Sequence, residues 1–175
     1  MIAPMPVRDD RGGLDHLGPE FLTWLWWRAD TDPRFEHADG TEVFVHVDEH
    51  LEFRGERAAS RRTVLRAGVP GASVDSRAAL KSGKLLVAAR LLFARGEDEV
   101  RFTLRGEDLD VSGARLPTCR DGGPRERLEA ALEHLETLWS DLDLCYATFL
   151  EVRTSPRWAQ EVDAVRRWSD RSVES

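Results

Sequence analysis

The residues of this 175-residue chain best suited to chemistry are basic side chains that can contact phosphate groups. Lys and Arg outnumber Asp and Glu by 13 to 8 between Arg54 and Arg115, although the whole chain has a formal net charge of −7. Guanidinium and ammonium groups bind nucleic-acid backbones without reading base sequence. The candidate nucleic-acid-binding residues are Arg61, Arg62, Arg66, Lys81, Lys84, Arg101 and Arg105. An ordinary mixed surface is an equally good interpretation of the same charges.

A second pattern, His46-x-Asp48-x-His50, contains side chains that can bind a metal ion. Residues two apart on a strand share a face, so the three side chains would align. Because such a site would be open and lacks the helical HExxH arrangement, a solvated strand edge is the preferred interpretation. Phosphate-loop, dinucleotide-binding, nucleophile-elbow and paired-cysteine motifs are missing from the sequence. We therefore expect a non-enzymatic protein with no catalytic residue, no cofactor and no metal.

The composition favours a single domain over residues 1–175, with 41% hydrophobic and 33% charged residues. We expect a loose arm over 1–16, a helix-plus-sheet core over 17–117 and C-terminal helices over 124–170. No apolar run approaches the ~20 residues that cross a bilayer, and the first residues lack the apolar core of a signal peptide. Cys119 and Cys145 lack CxxC spacing, which fits a reducing compartment, so the expected location is the cytoplasm.

A tryptophan-rich helix is predicted to begin at Leu17, with Pro19 and Glu20 favourable in its first turn. The segment that follows is apolar almost all round, which is typical of a helix buried on several sides. Trp24 and Trp27 are alternatively an aromatic platform for stacking bases or an interaction surface for a partner. A core helix is the preferred interpretation, because each buried indole removes roughly 150–250 Å² from water.

Strand patterns occupy the middle of the chain. Residues 41–48 alternate as a strand, and residues 61–66 form a short basic one. A helix is predicted to stop at Ser82-Gly83, and an apolar strand follows over 84–95. After a turn at 96–98, residues 99–105 alternate, with Val100, Phe102 and Leu104 facing inward.

The C-terminal third is predicted to be helical. Pro124 begins a long helix whose apolar stripe continues to Val152, with Ser140-Asp141 as the expected break. Ser155-Pro156 begins a last helix whose inward residues are Trp158, Val162, Val165 and Trp168. The predicted fold is α+β, a largely antiparallel sheet packed by the N-terminal Trp-rich helix, the long C-terminal helix and a final short helix.

Five segments, in this order and spacing, resemble the C-terminal part of the recombination-associated protein RdgC family. They are Leu17–Trp26, Ala78–Lys84, Arg90–Leu91, Val100–Leu104 and Leu109–Pro117. Together they span a helix, a helix that ends in Gly-Lys, two strands and an edge strand.

The resemblance implies a non-enzymatic accessory protein that binds double-stranded DNA without sequence preference and restrains RecA-type recombination. It also implies a homodimer that associates with the nucleoid. The alternative function is a protein-interaction or assembly module that has lost DNA binding, favoured by the Trp-rich helix and the acidic long helix.

Overall fold

The computed structural model describes residues 17–55, 63–66, 74–118 and 123–170. These ranges contain helices and strands in a mixed order. The elements are α1 (Leu17–Thr31), β1 (Arg34–Glu36), β2 (Glu42–Arg54), β3 (Thr63–Arg66), α2 (Val74–Lys81), β4 (Leu85–Arg95), β5 (Asp98–Arg105), β6 (Val111–Arg115), α3 (Pro124–Arg153) and α4 (Trp158–Asp170). The strand predicted over 41–48 thus continues to Arg54, and Arg61 and Arg62 lie outside the described residues.

The strands of the described ranges form one antiparallel sheet in the order β1–β2–β4–β5–β6. β3 pairs with the C-terminal half of β2, so β1 and β3 share one side of that strand. The predicted α+β class with a largely antiparallel sheet is confirmed.

One face of the sheet is covered by helices. The alternating residues predicted to face inward on β5, Val100, Phe102 and Leu104, are buried. They belong to a continuous apolar cluster with buried residues of α1, α3 and α4. Since neighbouring strand residues point to opposite faces, the intervening residues of β2, β4 and β5 lie on the face away from the helices.

The tryptophan-rich helix α1 is a core helix. Trp24 is 1% exposed, and its Nε1 donates a hydrogen bond to Glu161 Oε2 at 3.1 Å. Trp26 is equally buried and packs edge-to-face on Trp168, with 4.8 Å between ring centroids. The hypothesis that Trp24 forms an exposed interaction surface is therefore wrong, because this chain's own side chains enclose the ring. Trp27 is half-buried and packs against the core.

The long helix α3 runs without a break from Pro124 to Arg153, so the break expected at Ser140-Asp141 is wrong. Asp141 is buried, and its carboxylate receives contacts from His37 and Arg95 on the sheet side. A polar residue with partners for its carboxylate can occupy the interior face of a helix without interrupting it. The polar pair therefore marks a contact rather than a boundary.

The predicted end of α2 is confirmed, whereas α4 begins at Trp158, two residues after the proline predicted for its first turn. Gly83 has a φ of +79°, and its N–H donates to Leu80 O at 2.9 Å while Lys84 N–H donates to Ala79 O at 3.1 Å. This left-handed glycine closes α2 in the manner that the Ser-Gly sequence indicates. Ser155 precedes α4 and accepts a hydrogen bond from Trp158 N–H at its carbonyl oxygen.

Candidate functional site

The face of the sheet that points away from the helices carries most of the exposed basic side chains of the strands. We call it the open face. Arg101 and Arg105 of β5 are exposed on it, as predicted. Phe44 and His46 of β2 are exposed beside Ala94 and Leu92 of β4 in the ladder.

Four arginines are neighbours on the open face. Arg101 lies directly opposite Arg115 of β6, and Arg90 of β4 lies opposite Thr103, which stands between Arg101 and Arg105 on β5. Directly opposite residues on such a ladder have Cβ atoms about 5 Å apart, and diagonal neighbours about 7–8 Å. We call Arg90, Arg101, Arg105 and Arg115 the arginine quartet. Like charges at these spacings repel, so the arrangement favours a bound anion.

Acidic residues balance only part of this charge. Arg101 Nη2 lies 3.7 Å from Glu99 Oε2, and both side chains are about half exposed, so solvent screens the attraction. Arg105 lines a shallow cavity of about 140 Å³ together with Glu52 and an ion pair between Arg54 and Glu107. The positive charge is therefore most concentrated toward β6, and the cavity end is mixed.

The other predicted phosphate contacts are distributed differently. Lys81 Nζ lies 3.3 Å from Asp170 Oδ1 at the end of α4, which places it with the helices rather than on the open face. Lys84 is half-buried directly before β4. Arg66 pairs with His50 through the β2–β3 ladder, but its side chain lies outside the described residues. The structure therefore brings together Arg101 and Arg105 of the predicted set.

Sequence reasoning missed two members of the quartet. Arg90 interrupts the apolar run of β4, between the buried residues Ala89 and Leu91. The alternation of side chains along a strand is the signal that could have placed Arg90 on the outer face. Arg115 is brought opposite Arg101 by a register shift between β5 and β6, next to Gly113 with a φ of +63°. The sequence gives no direct signal for that register.

The pattern His46-x-Asp48-x-His50 does not form a metal site in this fold. A register irregularity between Val47 and Leu51 interrupts the regular pairing of β2 with β4. The regular alternation of side chains between the two faces of the strand is therefore interrupted before His50. Within the described ranges, no three His, Cys, Asp or Glu residues are grouped so that they could hold a metal ion.

A compact ionic cluster lies on the helical side of the sheet. His37 Nε2 is 2.7 Å from Asp141 Oδ1 and 2.9 Å from Arg95 Nη2, and Arg95 also contacts Asp141. The cluster joins the β1–β2 connection, the end of β4 and the middle of α3. These contacts hold together three segments that are distant in the sequence.

Two groups near this cluster have shifted pKa values. The Thr41 N–H donates to Asp39 Oδ1 at 2.8 Å, which lowers the pKa of that carboxyl. Burial raises the pKa of the Cys145 thiol, with a further contribution from the charge of Asp141 one turn away. Cys145 thus remains a neutral thiol at physiological pH, and it does not have the thiolate character of a catalytic nucleophile.

Among the helices in the described ranges, none is long and apolar enough to cross a membrane. No protein-family model, curated protein or solved structure matches the chain. The function of the protein is therefore inferred from the geometry of the surfaces described above.

Proposed function

We propose that this protein is a non-enzymatic accessory factor that binds double-stranded DNA through phosphate contacts made by the arginine quartet. The observation that carries the proposal is the cross-strand pair Arg101–Arg115, with Arg90 diagonal to both Arg101 and Arg105. Such contacts carry no base information, so binding is independent of DNA sequence. The resemblance to RdgC proteins extends the proposal to restraint of recombination.

The dimensions of the quartet suit a DNA backbone. Arg101 and Arg105 are four residues apart on one strand, which corresponds to about 14 Å at ~3.4 Å per residue. The quartet crosses β4, β5 and β6, which spans roughly 10 Å. One strand of B-DNA presents a phosphate about every 3.4 Å of helix axis, so the patch faces about four phosphates.

Part of the acidic charge of the chain lies away from the open face. The exposed carboxylates Glu129, Glu133, Glu136 and Asp143 all lie on α3, which belongs to the helical layer. The open face is on the other side of the sheet. A DNA duplex on the open face would therefore be separated from these carboxylates by the thickness of the sheet and core.

Replacing Arg101 and Arg115 together with alanine is expected to weaken duplex binding about tenfold, because two charge contacts to phosphate are lost. The measurement is fluorescence anisotropy of a labelled duplex of about 20 base pairs at low salt. Two duplexes of unrelated sequence should give the same affinity for the unaltered protein.

The matched control is Arg125→Ala with Arg127→Ala, which removes the same charge from exposed positions on α3. This control should change duplex affinity less than the open-face pair. Undetectable binding of the unaltered protein at low salt would contradict the proposal and favour the protein-interaction alternative. An equal loss in both double variants would show that overall charge, and not the open face, determines binding.

A further inference from the structure

An apolar stripe remains exposed along the first half of α3. Leu128 is 61% exposed, Leu132 51% and Trp139 47%. Leu135 is half-buried between Leu132 and Trp139 and completes the stripe. The spacing of four, three and four residues keeps these side chains on one face of the helix, in the pattern that packs against a second helix.

The exposed stripe is continuous with the buried core. Further along α3, Leu142 and Phe149 continue the same three- and four-residue spacing and are fully enclosed, with Tyr146 half-buried between them. The segment 128–139 therefore extends for roughly 17 Å with apolar side chains that the described part of the fold leaves partly uncovered. An exposed tryptophan beside leucines is characteristic of interface anchors.

A row of carboxylates borders the stripe. Glu129, Glu136 and Asp143 are exposed and are seven residues apart, so they fall along one edge of the same helical face. Between Leu128 and Val152 the sequence contains no Lys or Arg. Glu129 is paired with Arg125 at 2.8 Å, but an exposed pair of this kind is weak and can be exchanged for a partner's cation.

A second copy of the chain does not complement this edge. In an antiparallel pair, Leu128 would meet Trp139 and Leu132 would meet Leu135, but Glu129 would then lie beside Glu136 of the other copy. In a parallel pair, the residues opposite Glu129 and Glu136 would be Pro124 and Ala131, which carry no charge. Neither orientation supplies a cation to the acidic edge.

An anionic membrane surface is also a poor match, since helices that lie on such membranes carry Lys and Arg beside their apolar face. We propose that the stripe of Leu128, Leu132, Leu135 and Trp139 binds an amphipathic helix of another protein, with Lys or Arg along one edge to pair with Glu129, Glu136 and Asp143. This site is distinct from the arginine quartet, and the proposal does not depend on DNA binding.

The probe for this site is a synthetic helical peptide of about three heptads, with Leu at the core positions and Lys at the flanking ones. A second peptide carries Glu in place of every Lys. Calorimetry with the full chain should detect binding of the Lys peptide and much weaker binding of the Glu peptide. Because Trp139 is the most exposed of the six tryptophans, its burial should shift the fluorescence to shorter wavelength.

Two variants locate the contact. Leu132→Asp places a charge in the middle of the exposed stripe without disturbing the core, and it should weaken Lys-peptide binding at least about tenfold. Glu129→Lys combined with Glu136→Lys should reverse the preference, so that the Glu peptide binds about tenfold more tightly than the Lys peptide. Circular dichroism checks that both variants retain the fold.

Absence of Lys-peptide binding, or equal binding of both peptides, would overturn the proposal. Binding that survives both variants would do the same, because it would place the peptide elsewhere. Sedimentation that shows a dimer of the unaltered protein, dissociated by Leu132→Asp, would identify a second copy as the occupant instead.

Discussion

Replacing Gly18 with alanine is expected to lower the free energy of unfolding by about 3–5 kcal/mol. Gly18 lies in the first turn of α1, and a Cβ atom there would overlap the carbonyl carbon and oxygen of Gly106. A Cβ at Gly106 would in turn lie 2.8 Å from the carbonyl carbon of Gly18. Both obstacles are backbone atoms, so relief requires a shift of α1 or of the turn after β5. Urea denaturation monitored by circular dichroism measures the effect.

The matched control for this prediction is Gly123→Ala at the start of α3. A Cβ there would meet only Glu126 Oε2 at 3.8 Å, an ordinary contact, and the backbone φ of −73° suits alanine. The control should lower the free energy of unfolding by no more than about 1 kcal/mol. Similar costs for the two substitutions would show that α1 does not approach the turn at Gly106 as closely as described.

Replacing Asp141 with alanine is expected to lower the free energy of unfolding by about 2–3 kcal/mol. The side chain of Asp141 is 3% exposed, and its removal leaves Arg95 and His37 without the carboxylate that they both contact. Loss of one partner from a buried ion pair costs about 3–5 kcal/mol, and partial exposure of Arg95 reduces this value.

The control for Asp141→Ala is Asp143→Ala, the same chemical change two residues along the same helix. Both substitutions replace Asp with Ala inside the same helix, so both change the helix propensity by the same amount. The difference between the two variants therefore measures the contacts of Asp141. Asp143 is exposed, so its replacement should alter the free energy of unfolding by less than about 0.5 kcal/mol. Equal effects would mean that the cluster with His37 and Arg95 contributes nothing to stability.

The elements could be predicted because they depend on local patterns. Alternation places Val100, Phe102 and Leu104 inside, and Pro124 marks the start of α3. The start of α4 lies at Trp158, two residues after Pro156. The Ser140-Asp141 pair wrongly indicates a break in the helix, because the partners of Asp141 are distant in sequence. His37 is 104 residues away, and no local pattern reports a contact of that kind.

The candidate site could be predicted only in part for a similar reason. Alternation along β5 places Arg101 and Arg105 on the outer face, which the structure bears out. Their neighbours depend on the register of three strands, and Arg115 reaches Arg101 only through an irregular pairing. Lys81 is close to these arginines in the sequence, but α2 packs with α4, and this lysine contacts Asp170.

The exposed half of α3 illustrates what a sequence pattern cannot show. The apolar stripe of this helix reads as uniformly core-facing from Leu128 to Val152. In the fold, Leu138 and the stripe residues Leu142 and Phe149 are enclosed, whereas Leu128, Leu132 and Trp139 remain exposed. Periodicity identifies the apolar face of a helix, but the length of the surrounding layers decides how much of it is covered.

The most direct test of the proposed function is the salt dependence of duplex binding. Each phosphate neutralised contributes about −0.9 to the slope of log K against log salt concentration. Four arginines on the open face predict a slope of about −3 to −4, and Arg101→Ala with Arg115→Ala should reduce its magnitude by about 2. A slope near zero, or a slope that this double substitution leaves unchanged, would contradict phosphate binding by the arginine quartet.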